Sequence, residues 1–120
     1  MGANTVLVVE DDFDLRESIV DLLLEEGIDA LSAKDGRDGL LELRMRPGVD
    51  VILLDLSMPM MDGLAFRKEQ LADPELASIP VVVLSAEQDI ASRAAALGAR
   101  AAIRKPFSPA ALRDVLQSCR

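Results

Sequence analysis

The chain has 120 residues, half of them hydrophobic but only three aromatic (Phe13, Phe66 and Phe107), and carries a net charge of −8. That length suits one domain, spanning 1–120, whose core aliphatic and alanine side chains must fill. The charge argues against direct binding to nucleic-acid phosphates, which needs clustered Lys and Arg, and no apolar run approaches the ~20 residues of a membrane span. Met1-Gly2-Ala3-Asn4-Thr5 lacks the basic end and apolar stretch of a secretory signal. Cys119 is the sole cysteine, so no internal disulfide can form. A reducing, cytoplasmic setting is therefore expected.

Taken in order, the chain alternates two patterns. Val6-Leu7-Val8-Val9 is a short β-branched run that ends in Glu10-Asp11-Asp12. A helical pattern follows, with Leu15, Ile19, Leu22 and Leu23 on one face. Asp14 is expected to cap it with Glu17 three residues on, and Gly27 suits its exit. Ile28 to Ala33 reads as a second strand with imperfect alternation. A shorter helix is predicted between Asp35 and about Met45, weakened by Gly36 and Gly39 and closed before Pro47-Gly48.

The run at Val49 to Leu54 is the most apolar strand, suited to burial on both faces, and it meets a carboxylate at Asp55. Pro59 and Asp62-Gly63 then turn the chain into a third helix, about Gly63 to Ala72. Val81 to Leu84 forms the fourth strand and ends at Ser85-Ala86, and a helix from about Glu87 to Leu97 exits at Gly98. Ala101 to Arg104 is the weakest strand, since alanine is a poor strand former, and it ends at Lys105-Pro106-Phe107. Ser108 caps the last helix with Pro109 at its first position.

Strands alternating with helices imply right-handed crossovers and a parallel sheet covered on both faces: an α/β, three-layer (βα)5 architecture. In such a sheet the strand ends share one rim, where open α/β folds place their chemistry. The acids after the first strand, Asp55, Ser85 and Lys105 would all arrive there. Packed carboxylates repel, so the site must raise a pKa or recruit a cation. Oxygen ligands without histidine favour a hard ion, Mg2+ before Ca2+ or Zn2+. Spacing alone does not say which two of Glu10, Asp11 and Asp12 face the ion. A hydroxyl and a lysine opposite would suit a phosphoryl group.

These residues carry a resemblance. Glu10-Asp11, Asp55-x-x-Met58-Pro59-x-Met61-Asp62-Gly63, Leu84-Ser85-Ala86 and Lys105-Pro106-Phe107, in that order at strand ends, resemble the receiver domain of two-component response regulators from about Thr5 to the end. The resemblance implies a flavodoxin-like sheet of order 2-1-3-4-5. It implies that Asp55 is the phosphoacceptor, attacking a phosphohistidine on a sensor histidine kinase or histidine phosphotransfer protein. Asp11 would bind Mg2+ directly and Glu10 mainly through water, with Asp55 and the backbone carbonyl of Ser57 completing the protein ligands. Ser85 and Lys105 would hold phosphoryl oxygens. The chain would then be a switch rather than a conventional enzyme, altering its binding to a downstream effector or an attached output domain. Homodimerisation through the fourth helix, fifth strand and fifth helix is compatible with it.

Each residue also has a plainer role to weigh. Asp55 suits a turn-capping acid, Glu10 and Asp11 helix-start acids, Ser85 a strand-end hydroxyl, Lys105 a solvated surface charge. The alternative, a pseudo-receiver, would keep the fold as a protein-binding module without phosphorylation; the intact acid pair, Asp55, Ser85 and Lys105 argue against it. A haloacid-dehalogenase-type phosphatase would want a second acid two residues after the nucleophile, where this chain has Ser57. One departure from the receiver pattern stands out: the aromatic usually found three residues before the lysine is Ala102, which has no rotamer to switch.

Overall fold

The structure, a computed structural model, describes residues 5–56 and 63–119. Five strands alternate with five helices: β1 (Thr5–Val9), α1 (Phe13–Glu25), β2 (Asp29–Ala33), α2 (Gly36–Met45), β3 (Val51–Asp55), α3 (Gly63–Ala72), β4 (Val81–Ser85), α4 (Ile90–Leu97), β5 (Ala101–Arg104) and α5 (Pro109–Ser118). The strands form one sheet in the order β2-β1-β3-β4-β5, and every neighbouring pair is parallel. The expected doubly covered parallel sheet is what forms.

The unbroken aliphatic runs of β1, β3 and β4 are two interleaved faces. Leu7, Val9, Ile52, Leu54, Val81 and Val83 point towards α2, α3 and α4, where Leu40, Leu43, Phe66, Ala94 and Leu97 meet them. Val6, Val8, Val51, Leu53, Val82 and Leu84 point the other way, onto Ile19 and Leu23 of α1 and Leu112 and Leu116 of α5. Period-two alternation thus gives both faces a hydrophobic layer, each fully buried Val or Leu contributing roughly 1.5–3 kcal/mol relative to exposure. Gly39 of α2 lets that helix lie close: a Cβ there would stand 3.1 Å from both Phe66 Cε2 and Val9 Cγ2. What read as a weakness of the helix is a contact requirement.

Several boundaries differ from expectation. Helix α1 begins at Phe13, and its cap is Asp12, whose carboxylate accepts from Leu15 N at 3.1 Å, so the expected cap, Asp14, lies inside the first turn. Asp12 keeps extended backbone (φ −74°, ψ 115°), as a cap requires. Strand β3 starts at Val51 and includes Asp55. Helix α4 begins at Ile90 rather than Glu87, which stays in the loop with its amide donating to Ser85 Oγ at 3.0 Å. The first bond of that helix runs from Arg93 N to Asp89 O at 3.1 Å. At its far end Gly98 takes φ 68°, and Arg67 of α3 donates from Nε to Leu97 O at 2.9 Å and from Nη2 to Gly98 O at 3.1 Å. Helix α5 matches its sequence reading, with Ser108 Oγ accepting from Ala111 N at 3.1 Å and Pro109 in the first turn.

Candidate functional site

The strand register builds the site. Val9 of β1 pairs with Leu54 of β3, so Glu10 and Asp55 arrive side by side, one residue past that pair. Asp55 pairs with Leu84 and Ser85 with Arg104, so Ser85 follows one step later on β4 and Lys105 one step beyond that, just past β5. The register is fixed to the rim by backbone bonds: Glu10 N donates to Ala33 O at 3.1 Å, Leu56 N to Leu84 O at 3.2 Å and Lys105 N to Ser85 O at 2.9 Å. Close packing supports it from behind. A Cβ on Gly63 would stand 2.7 Å from Leu56 Cδ2 and 3.3 Å from Asp55 O, so this position requires glycine for approach rather than for an unusual φ.

Glu10, Asp11, Asp55, Ser85, Ala86, Glu87 and Lys105 line an open cleft of about 440 Å³. Glu10, Asp55 and Ser85 are almost completely buried, at 1%, 4% and 3% exposure, whereas Asp11 is exposed. Polar groups buried to that degree must be bonded. Lys105 Nζ donates to Glu10 Oε1 at 2.7 Å and lies 3.4 Å from Asp55 Oδ1. Glu10 Oε2 accepts from Asp12 N at 3.3 Å, and Arg16 Nη1 of α1 donates to Glu10 O at 2.8 Å.

Charge is concentrated here. Among the described residues that line the cleft, four carboxylates face one ammonium, Lys105. Burial acts to lower the Lys105 ammonium, but its hydrogen bond to Glu10, the charges of Asp55 and Glu10 and its contact with Asp55 hold it above the ordinary lysine value. Burial acts to raise Asp11, and this is outweighed by hydrogen bonds to Glu10, to Asp55 and to backbone, and by Lys105, leaving its carboxyl below the ordinary aspartate value. A deprotonated acid at the mouth of a cleft is ready to ligate.

Carboxylate oxygens of Glu10, Asp11 and Asp55 all lie within 4.8 Å of one another. Three oxygen donors at that spacing, with neither histidine nor cysteine among the lining residues, fit a hard divalent cation. Of the three acids after β1, Glu10 and Asp11 share this cluster with Asp55, while the Asp12 carboxylate caps α1. The expected Ser57 carbonyl ligand and the neighbouring Met58, Met60, Met61 and Asp62 lie outside the described residues. The Lys105-Pro106 bond is cis. Ala102 is half-buried and packs on the layer shared with α4.

A family model described as the response regulator receiver domain matches residues 6–117. The chain belongs to that family. Among curated relatives, this receiver is similar to the chemotaxis protein CheY of Treponema pallidum, at 34% identity over 85% of this chain and 72% of that protein. It is 36% identical to the phosphate regulon transcriptional regulatory protein PhoB of Escherichia coli, over 89% of this chain but 47% of PhoB. The chain thus spans about half the length of the transcriptional regulators it matches. Among solved structures, Vibrio cholerae chemotaxis protein CheY4 superposes with a TM-score of 0.90 at 29% identity, covering 98% of this chain and 99% of that one. The receiver domain of sensor histidine kinase PA1611 from Pseudomonas aeruginosa gives a TM-score of 0.83 at 27% identity over 98% of this chain and 97% of that chain, and that structure has a magnesium ion coordinated in its active-site cleft. Receiver domains are signalling switches of two-component systems rather than conventional enzymes. No described helix of this receiver is long and apolar enough to cross a membrane.

Two side chains at the receiver cleft have no signal in the sequence. Arg16 reaches the Glu10 carbonyl from the second turn of α1. Arg93 of α4 binds Glu87 Oε2 through Nη1 at 2.7 Å. Both partners are six residues away in sequence, a spacing with no local rule.

Proposed function

We propose that this receiver is a phosphoacceptor switch, taking a phosphoryl group on Asp55 from a phosphohistidine of a sensor histidine kinase or histidine phosphotransfer protein. The observation that carries this reading is one constellation: a buried Asp55 with Glu10 and Asp11 oxygens within 4.8 Å, and Lys105 Nζ at 3.4 Å from Asp55 and 2.7 Å from Glu10. An Asp55 oxygen attacks phosphorus, the phosphorus–nitrogen bond breaks, and the imidazole leaves with the electron pair. Asp55 sits on a strand inside a hydrogen-bonded ladder, so the nucleophile is held in place before the donor arrives. Lys105 neutralises one phosphoryl oxygen. Ser85 supplies a hydroxyl donor to another: its oxygen already accepts from Glu87 N, which leaves its own hydrogen to point into the cleft.

Glu10, Asp11 and Asp55, with the Ser57 carbonyl, would hold Mg2+, which when bound supplies positive charge against the gathering phosphoryl oxygens. Loose phosphoryl-transfer transition states need positioning and charge neutralisation more than covalent help, and that is what these side chains offer. The partner reading has its own support. An apolar groove of about 410 Å³, lined by Leu15, Ile19 and Leu22 of α1 and by Pro106, Phe107 and Pro109, adjoins the cleft and shares Ala86 and Lys105 with it. A donor protein seated there would bring its histidine to Asp55. We place this exchange in the cytoplasm, with a protein effector or attached output domain as the reader of the state.

Intact-protein mass spectrometry after incubation with acetyl phosphate and Mg2+ tests the proposal. One added phosphoryl group, dependent on Mg2+ and lost in Asp55→Asn, is the expected result. Absence of the adduct together with absence of Mg2+ and beryllofluoride binding would instead make the chain a pseudo-receiver.

A further inference from the structure

The chemistry proposed above gives work to Glu10, Asp11, Asp55, Ser85 and Lys105, and leaves the fourth acid of the cleft without a role. Glu87 is half-buried in the cleft wall, on the loop that follows Ser85. Its main-chain N–H fixes Ser85 Oγ at 3.0 Å, while its carboxylate turns to Arg93 Nη1 at 2.7 Å. One residue therefore has its amide on a phosphoryl-facing hydroxyl and its charge beside an already acidic cleft. A carboxylate in that wall opposes any arriving anion, unless a cation neutralises it. Lys105 is committed to Glu10 and Asp55. Arg93, reaching back from α4, is the cation the structure sets against Glu87.

We propose that Arg93 is a positioning residue for phosphoryl uptake. It neutralises Glu87, draws its carboxylate to the α4 side, and thereby steadies the loop whose amide holds Ser85. The inference rests on the phosphoacceptor reading of Asp55 and adds a residue that the receiver resemblance did not supply. Because the pair is partly exposed, with side chains 41% and 33% accessible, its effect is modest and salt-sensitive.

The test is a four-protein cycle of wild type, Arg93→Gln, Glu87→Gln and the double variant, with Arg93→Lys as the charge-preserving control. Uptake from acetyl phosphate in Mg2+ is followed by mass spectrometry: an Asp55 oxygen attacks phosphorus and acetate leaves. Arg93→Gln is expected to slow uptake about threefold, a size typical of losing an exposed ion pair, and Arg93→Lys to restore most of it. Glu87→Gln should be faster than wild type, and adding Arg93→Gln to it should change nothing. The Arg93→Gln deficit should shrink near 1 M salt, where the screening length is about 3 Å. An equal slowing by Arg93→Gln in both Glu87 backgrounds, or no slowing at all, overturns the proposal. Amide hydrogen exchange read at Glu87 keeps the two readings separable. Arg93→Gln should speed exchange there several-fold while leaving β4 amides protected. If wild type takes up no phosphoryl group, the phosphoacceptor reading fails, and unchanged exchange at Glu87 would dispose of the positioning role by itself.

Discussion

Strand β3 has an aspartate at each end, and the two behave as opposites. Asp50, just before the strand, is exposed; its Oδ2 accepts from Thr5 N at 3.0 Å and its amide donates to Thr5 O at 2.9 Å, fastening β1 to the start of β3. Asp55, the last residue of the strand, is 4% exposed and shares its corner with Glu10, Asp11 and Lys105. At the first end a carboxylate completes a hydrogen-bonding pattern. At the second, carboxylates are gathered in excess of the ammonium that faces them. One end of the sheet is built for stability and the other holds charge in tension, as sites that must recruit a cation or an anion do.

The largest expected contrast is chemical. Asp55→Asn should abolish phosphoryl uptake, whereas Asp50→Asn should leave it within about twofold of wild type, the range expected of a surface change remote from the site; comparable loss in both, read by mass spectrometry, would erase the distinction. Metal linkage comes next. Saturating Mg2+ should raise the unfolding free energy, by about 2.7 kcal/mol at a hundred times the dissociation constant, and Asp11→Asn should lose most of that gain in denaturant titrations. A metal response that survives Asp11→Asn would remove Asp11 from the ligand set.

Smaller still, and of opposite sign at the two ends, are the metal-free stabilities. Asp55→Asn should stabilise the fold by about 1 kcal/mol through relief of repulsion, while Asp50→Asn should cost about 0.5 kcal/mol by weakening a charge-assisted bond. Equal signs would mean that the carboxyl end is not under electrostatic strain. The last test is pH. Lys105 is raised above its ordinary value, so the stability it contributes is complete below that value and disappears as pH climbs through the raised one. Asp11 is lowered, so its contribution is present above the ordinary aspartate value and fades on acidification. Above about pH 10 the wild type should therefore lose stability more steeply than Lys105→Met, as measured by denaturant midpoints.

Which parts of this could be read from the sequence follows the same division. Elements governed by local chemistry were legible: Ser108-Pro109 marks the start of α5, and the aliphatic runs mark the buried strands. That the acids after β1, Asp55, Ser85 and Lys105 meet followed from strand ends sharing a rim, while the choice of Glu10 and Asp11 among those acids came from the receiver resemblance. The cap of α1 was misread because Asp12 and Asp14 both follow β1 closely, and only the backbone of Asp12 decides between them. Glu87 fits a helix by residue type, yet the first bond of α4 runs from Arg93 N to Asp89 O, so the helix starts at Ile90. Arg16 and Arg93 were illegible altogether. Their partners are set by how α1 and α4 lie against the sheet, and neither spacing corresponds to a turn of helix.

The register that brings Glu10 and Asp55 side by side has a consequence for how such a chain can vary. Lengthening the turn between α3 and β4, at the opposite end of the sheet, changes nothing at the rim, because every chemical group sits at the carboxyl end of a strand or just past it. Deleting one residue within β3 is another matter. It would carry every later side chain to the opposite face, moving a carboxylate into a hydrocarbon layer and a leucine to the rim. The fold thus tolerates change in length in the loops that enter its strands and almost nowhere along the strands themselves, and Asp55 inherits the precision of the hydrophobic core.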